Sequence, residues 1–177
     1  MKKEKAIEFI KIYRLYLPFG IYLILQLVTA GIGKLTDSAL RSIPRLLLFW
    51  IAVITSLLLF LAISREFLKW GCKKGLKGFS ILKKIWYVIL GIVATGIIFV
   101  GFMISVFMYK PEHIVVHNGV CMVASVNSFL QEKVSYYEYK NLIFRGSRQI
   151  GYEDYGNGGR DPLEDENREP IQQYFDE

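Results

Sequence analysis

Residues 85–109, IWYVILGIVATGIIFVGFMISVFMY, contain no Asp, Glu, Lys, Arg or His. A helix rises 1.5 Å per residue, so a run of this length crosses the ~30 Å hydrocarbon core of a bilayer. Two more runs share the property, Leu15–Gly33 and Leu46–Ser64. Lipid offers no hydrogen bonds, so each backbone N–H and C=O must be paired within its own segment, which only a helix does. The sequence predicts a membrane α-helical protein with three transmembrane helices, followed by a small C-terminal antiparallel β domain. Four regions follow: an amphipathic segment 1–14, a transmembrane region 15–109, a β domain 110–155 and an acidic tail 156–177.

Charge is divided along the chain. Residues 1–109 hold 15 Lys/Arg against 4 acids, and residues 110–177 hold 7 against 12. The basic half carries the apolar runs, which suits contact with anionic lipid headgroups. Nucleic acid is not the partner expected, because the basic residues sit in short loops between apolar runs rather than on one folded face. The first run exceeds the h-region of a signal peptide and reads as an uncleaved helix.

Around the spans, Lys2, Lys3, Lys5, Lys11 and Arg14 alternate with Ala6, Phe9, Ile10 and Tyr13 at helical spacing. Pro18 falls early in the first span, where a kink or a fresh start is tolerated. Residues 34–45 read as a short connector. Residues 65–84 interleave Arg65, Lys69, Lys73, Lys74, Lys77, Lys83 and Lys84 with apolar side chains. That pattern predicts a surface-lying segment whose lysines reach the headgroups, with Gly71, Gly75 and Gly78 arguing against one rigid helix. Lys69, Lys73, Lys74, Lys77, Lys83 and Lys84 are the expected lipid-contacting residues. The N-terminus and this loop together hold 12 Lys/Arg, so the positive-inside rule places them in the cytosol and the C-terminal domain outside the plasma membrane.

Beyond residue 110 the pattern changes. His113–His117 and Val120–Val126 flank Asn118-Gly119, the strongest short hairpin signal. A two-residue turn pairs 117 with 120 and 116 with 121. Ile114, Val116, Cys121 and Val123 then share one face. Val134–Phe144 and Arg148–Tyr155 flank Gly146-Ser147 and predict a second hairpin. Gly156–Glu169 reads as loop or disorder, and Ile171–Phe175 as a short docking element or frayed end.

Chemistry is sparse. His113, His117 and Cys121 are spaced by four, but on strands the histidines lie ~13 Å apart and Cys121 points the other way. They read as exposed strand histidines and a small core cysteine rather than metal ligands. The acidic tail lacks the alternating ligands of a calcium loop. Cys72 and Cys121 fall on opposite sides of the membrane and cannot pair. The tyrosines Tyr136, Tyr137, Tyr139, Tyr152 and Tyr155 read as cross-strand packing, or else as a face for a partner. No catalytic set, nucleotide-binding glycine loop or cofactor motif is present. The spans hold no charge, which argues against a self-sufficient pump. Gly91-xxx-Thr95 and Gly101-xxx-Ser105 could seat another helix.

The pieces Val123-Ala-Ser-Val-Asn-Ser-Phe129, Tyr136-Tyr-Glu-Tyr-Lys-Asn141, Arg145-Gly146 and Tyr155-Gly-Asn-Gly-Gly-Arg-Asp-Pro162 resemble the C-terminal part of uncharacterised small multi-pass membrane proteins of Gram-positive bacteria. The resemblance covers under a third of the chain. It implies a bacterial plasma membrane, and it carries over no functional residue. The function expected is that of a non-enzymatic membrane protein whose outer β module binds a surface partner in an accessory, sensor or immunity role. The alternative is a small subunit of a larger transporter or membrane enzyme complex.

Overall fold

The computed structural model describes residues 2–73, 79–165 and 168–175, with side chains described from residue 16 onward except at 70 and 72–80. Three long helices come first: α1 (Lys2–Leu35), α2 (Ser42–Lys73) and α3 (Phe79–Met108). Each contains a stretch long and apolar enough to cross a membrane, at Tyr16–Leu35, Ser42–Lys69 and Ile81–Met108. None of the α1 stretch and under a fifth of the other two is buried. A soluble fold would bury such surface at roughly 25 cal/mol per Å², so this surface is suited to lipid or to other helices. Two threonine hydroxyls within the spans turn back to their own backbone. Thr55 donates to the Ile51 carbonyl at 2.7 Å and Thr95 to that of Gly91 at 2.9 Å.

The N-terminal segment is helical and leads into the first span. It runs without a break into the first span, Pro18 included. Within the stretch 65–84, α2 continues through Lys73 and α3 begins at Phe79. Gly75 and Gly78 lie outside the described residues.

Compact packing divides the chain into two units, Met1–Leu27 with Leu48–Ile104, and Val28–Leu47 with Ser105–Glu177. The second unit holds a curled antiparallel sheet of six strands: β1 (Ser38–Leu40), β2 (Glu112–His117), β3 (Val120–Asn127), β4 (Gln131–Tyr139), β5 (Phe144–Asn157) and β6 (Gln172–Phe175). The order is β1-β5-β4-β3-β2, with β6 also on β5. The β2–β3 hairpin has the register read from the sequence, with His117 opposite Val120 and Val116 opposite Cys121. Asn118 and Gly119 both have positive φ, at 50° and 80°, as a type I′ turn requires.

The connector between α1 and α2 contributes β1, a strand where the sequence predicts only a connector. Asp37 at φ 47° ends the α1 cap and turns the chain so that Ser38 pairs with Gly146 and Leu40 with Phe144. The turn is tight, and a Cβ on Gly33 would stand 2.9 Å from the Ser38 carbonyl oxygen.

The second hairpin turns elsewhere than expected. Gly146-Ser147 lies inside β5, and the reversal is at residues 140–143. Asn141 builds it, because its Oδ1 accepts the N–H groups of Ile143 and Phe144, each at 2.8 Å. Gly146 serves close approach, since a Cβ there would stand 3.1 Å from the Glu138 Cβ. The tail is also more ordered than expected. β5 extends to Asn157, a single 3-10 turn follows at Pro162–Glu164, and β6 pairs with β5.

The core of this unit is Met122, Ala124, Val126, Val134, Tyr136 and Tyr155, with Val115, Ile150, Leu163 and Phe175 packed against it. These come from alternate positions of the strands, as a half-buried sheet requires. Cys121 is exposed rather than a core residue, because the register turns it to the face opposite this cluster.

Candidate functional site: an open edge strand on an ion-paired base

β2 is the outer strand at one end of the sheet order. Its first residue is fixed by a cluster that no local pattern announces. Glu112 accepts from Arg41 Nε at 2.8 Å and from the Ser42 backbone N–H at 2.9 Å. The second bond caps the start of α2, whose own first turn carries no acid. Ser42 Oγ in turn accepts the Lys110 N–H at 2.9 Å. Arg145 completes the cluster. Its Nε stands 3.9 Å from Glu112 Oε1, and its guanidinium carbon lies 3.4 Å from the Tyr137 ring centroid. All three charged side chains are nearly buried. Removing one partner of such a group costs about 3–5 kcal/mol, because an uncompensated charge stays behind.

A second buried acid organises the loop after β5. Glu132 is fully buried and accepts the Arg160 N–H at 2.8 Å, with the Arg168 guanidinium on its other oxygen. A Cβ on Gly158 would overlap the carboxylate, so the chain passes there only as glycine. The same loop reaches β2 through Asp161, whose Oδ2 lies 2.7 Å from His113 Nε2. Asp154 is held below the usual carboxylate range by the Gly156 N–H and then by Lys133.

Among the described residues no strand pairs with the outer side of β2, and several of its side chains are exposed. Ile114 is 52% exposed, Val116 72% and Val120 across the turn 50%. Natural edge strands are blunted by lysines, prolines or bulges. From His113 to His117 β2 has none of these. An extended segment of a partner can add to such an edge by main-chain hydrogen bonds.

The tyrosines divide. Tyr136 and Tyr155 are core residues, not partner surface, and both donate to Glu153 Oε2, at 2.6 and 2.8 Å. Burial, and after it the Glu153 carboxylate, pushes both phenols well above their usual range. Tyr137 is roofed by Arg145, and Tyr152 lies beside Tyr174 at 6.1 Å between ring centroids. Tyr139 is half-buried at the end of β4. Of the lysines expected at lipid, Lys69 is exposed and pairs with Glu66 at 2.6 Å, and Lys83 and Lys84 are exposed at the start of α3. Lys74, Lys77 and the side chain of Lys73 lie outside the described residues. The histidines have separate partners, His113 at Asp161 and His117 on the Phe175 ring. Among the described residues no three His, Cys, Asp or Glu side chains converge as a metal-binding group.

No protein-family model matches the chain, and no curated protein or solved structure matches it.

Proposed function

We propose that this is a non-enzymatic multi-pass protein of the plasma membrane whose β module stands outside the cell and binds a surface partner. An accessory, sensor or immunity role fits that description. The observation that carries it is the open β2 edge, apolar at Ile114, Val116 and Val120 and fixed at its base by Glu112. A preset edge loses little entropy on pairing, which favours binding. The orientation rests on the lysine and arginine excess of the N-terminus and the 65–84 loop. Cys121 supplies its test, because an outer, exposed thiol reacts with a membrane-impermeant maleimide in intact cells.

Photo-crosslinking amino acids at Val116 and Val120, in cells, test the binding itself. A discrete adduct is expected from both positions. It should vanish from the Val120 probe when Val116→Lys blunts the edge.

A second reading, a small subunit of a larger membrane complex, is favoured by α3. Gly101 packs against Trp50, with a Cβ there 3.5 Å from the indole. Gly91 has nothing within 4 Å of its Cβ position, so the Gly91-xxx-Thr95 face is open to a further helix. Adducts from Gly91 or Thr95, with none from 116 and 120, would favour this reading over the first.

A further inference from the structure

The three apolar stretches end at Leu35, begin at Ser42 and end at Met108, and these three ends belong to the same compact unit as the sheet. They mark one surface of the bilayer. Two turns of the sheet lie at that level. The turn 128–130 meets the last turn of α3, where Phe129 and Phe107 stand edge to face at 5.0 Å between centroids. The turn 140–143 meets the start of α2, where the Ile143 carbonyl accepts the Arg41 N–H at 2.9 Å. Leu142 shares a cleft with Ile43, Pro44 and Tyr109.

Both turns carry apolar side chains outward. Leu130 is 75% and Leu142 74% exposed, and Phe129 and Ile143 are exposed beside them. In water each would cost up to ~2 kcal/mol relative to burial, and neither turn needs them to form. Charge at the same level points to the occupant. Lys34, Arg45 and Lys110 are exposed there, Lys140 is half-exposed, and Asp37 is the one exposed acid on the connector. Exposed apolar tips close to exposed basic side chains and to Tyr109 match the boundary between acyl chains and phosphates.

We propose that the turns 128–130 and 140–143 insert into the acyl–headgroup boundary of the same bilayer that the helices cross. The occupant of this patch is lipid, and it adjoins the partner surface of β2 at the cleft that Leu142 and Ile114 share. Two insertions on either side of the helix ends hold the sheet at a fixed tilt on the membrane, so that the β2 edge keeps one orientation.

The test uses full-length protein in nanodiscs of phosphatidylcholine and phosphatidylglycerol, with Cys72→Ser and Cys121→Ser as background. An environment-sensitive fluorophore is placed on Leu130→Cys, on Leu142→Cys and, as the lipid reference, on Ile98→Cys in mid-span. Both sites are exposed, so the substitutions leave the fold alone. Labels at 130 and 142 should be quenched by brominated acyl chains and shielded from aqueous iodide. Quenching by iodide with none from brominated lipid would overturn the proposal. Shielding from iodide that rises with the protein-to-lipid ratio, again without brominated-lipid quenching, would mean that a second copy covers the patch. That would overturn it too.

Discussion

His117 on β2 and Phe175 on β6 stack face to face, with ring centroids 4.4 Å apart and planes 10° from parallel. The two strands are not hydrogen-bond neighbours, for β2 ends the sheet order on one side and β6 hangs from β5. The contact is made by the curl of the sheet, and Phe175 fills the space inside it, 5.0 Å from Tyr136. Phe175→Ala should therefore cost about 3 kcal/mol, the lower end of the range for a buried phenylalanine. Gly151→Ala should act at the same place, since its Cβ would overlap the Phe175 ring. Thermal unfolding of the detergent-solubilised protein, followed by near-ultraviolet dichroism, reads both. A double variant no worse than Phe175→Ala alone would show that they act through one ring.

Glu112→Gln should be among the most damaging single changes in the β module. It leaves Arg41 and Arg145 buried without a counter-charge, and about 3–5 kcal/mol is expected. Protease protection of residues 110–157 in the full-length protein is the measure. Tolerance of Gln would mean that the carboxylate acts only as a hydrogen-bond acceptor.

At the β2–β3 turn, Gly119→Val should be much worse than Gly119→Asn. Gly119 has φ 80°, a region that a β-branched residue enters only under strain. An ordinary residue in the left-handed region costs roughly 1–2 kcal/mol, and asparagine less. Equal protease resistance of the two variants would contradict this.

The sheet should lose stability at alkaline pH. Tyr136 and Tyr155 have phenols raised above the ordinary value of 10.0 by burial and by Glu153. Below about pH 10 both states keep their protons, and the contribution is complete. Above it the unfolded chain releases protons that the folded sheet retains, so unfolding becomes easier as pH rises. Tyr136→Phe with Tyr155→Phe should flatten the fall in melting temperature between about pH 9 and about pH 11. An unchanged slope would locate the alkaline transition elsewhere.

Sequence reading reached the features whose signals are local. The helical spans announce themselves by run length, and the β2–β3 register by Asn118-Gly119 between alternating strands. It missed what depends on distant pairing. β1 has three residues and no periodicity, and Glu112 finds Ser42 across 70 positions of chain. Gly146-Ser147 misled because a glycine needed for close approach looks like one needed for a turn. The true reversal was readable, since Asn141 placed just before Ile143 and Phe144 is the chemistry of an Asx turn. Of the tyrosines, Tyr136 and Tyr155 follow the cross-strand packing reading, since both lie in the core with their hydroxyls on Glu153. The edge of β2 was legible only as one strand of a hairpin, because nothing local states that it will end the sheet order among the described strands.

β1 comes from the link between the first two helices, whereas every other strand is made after the third. The ribosome thus delivers one strand of the sheet long before its neighbours exist. Ser38–Leu40 must wait at one face of the bilayer until residues 144–146 arrive at that same face. A chain threaded with its first helical hairpin reversed would leave β5 lacking that neighbour, and would leave the Arg145–Glu112 cluster without Arg41. The sheet is therefore complete only when the link between the first two helices and the segment after the third meet at the same face.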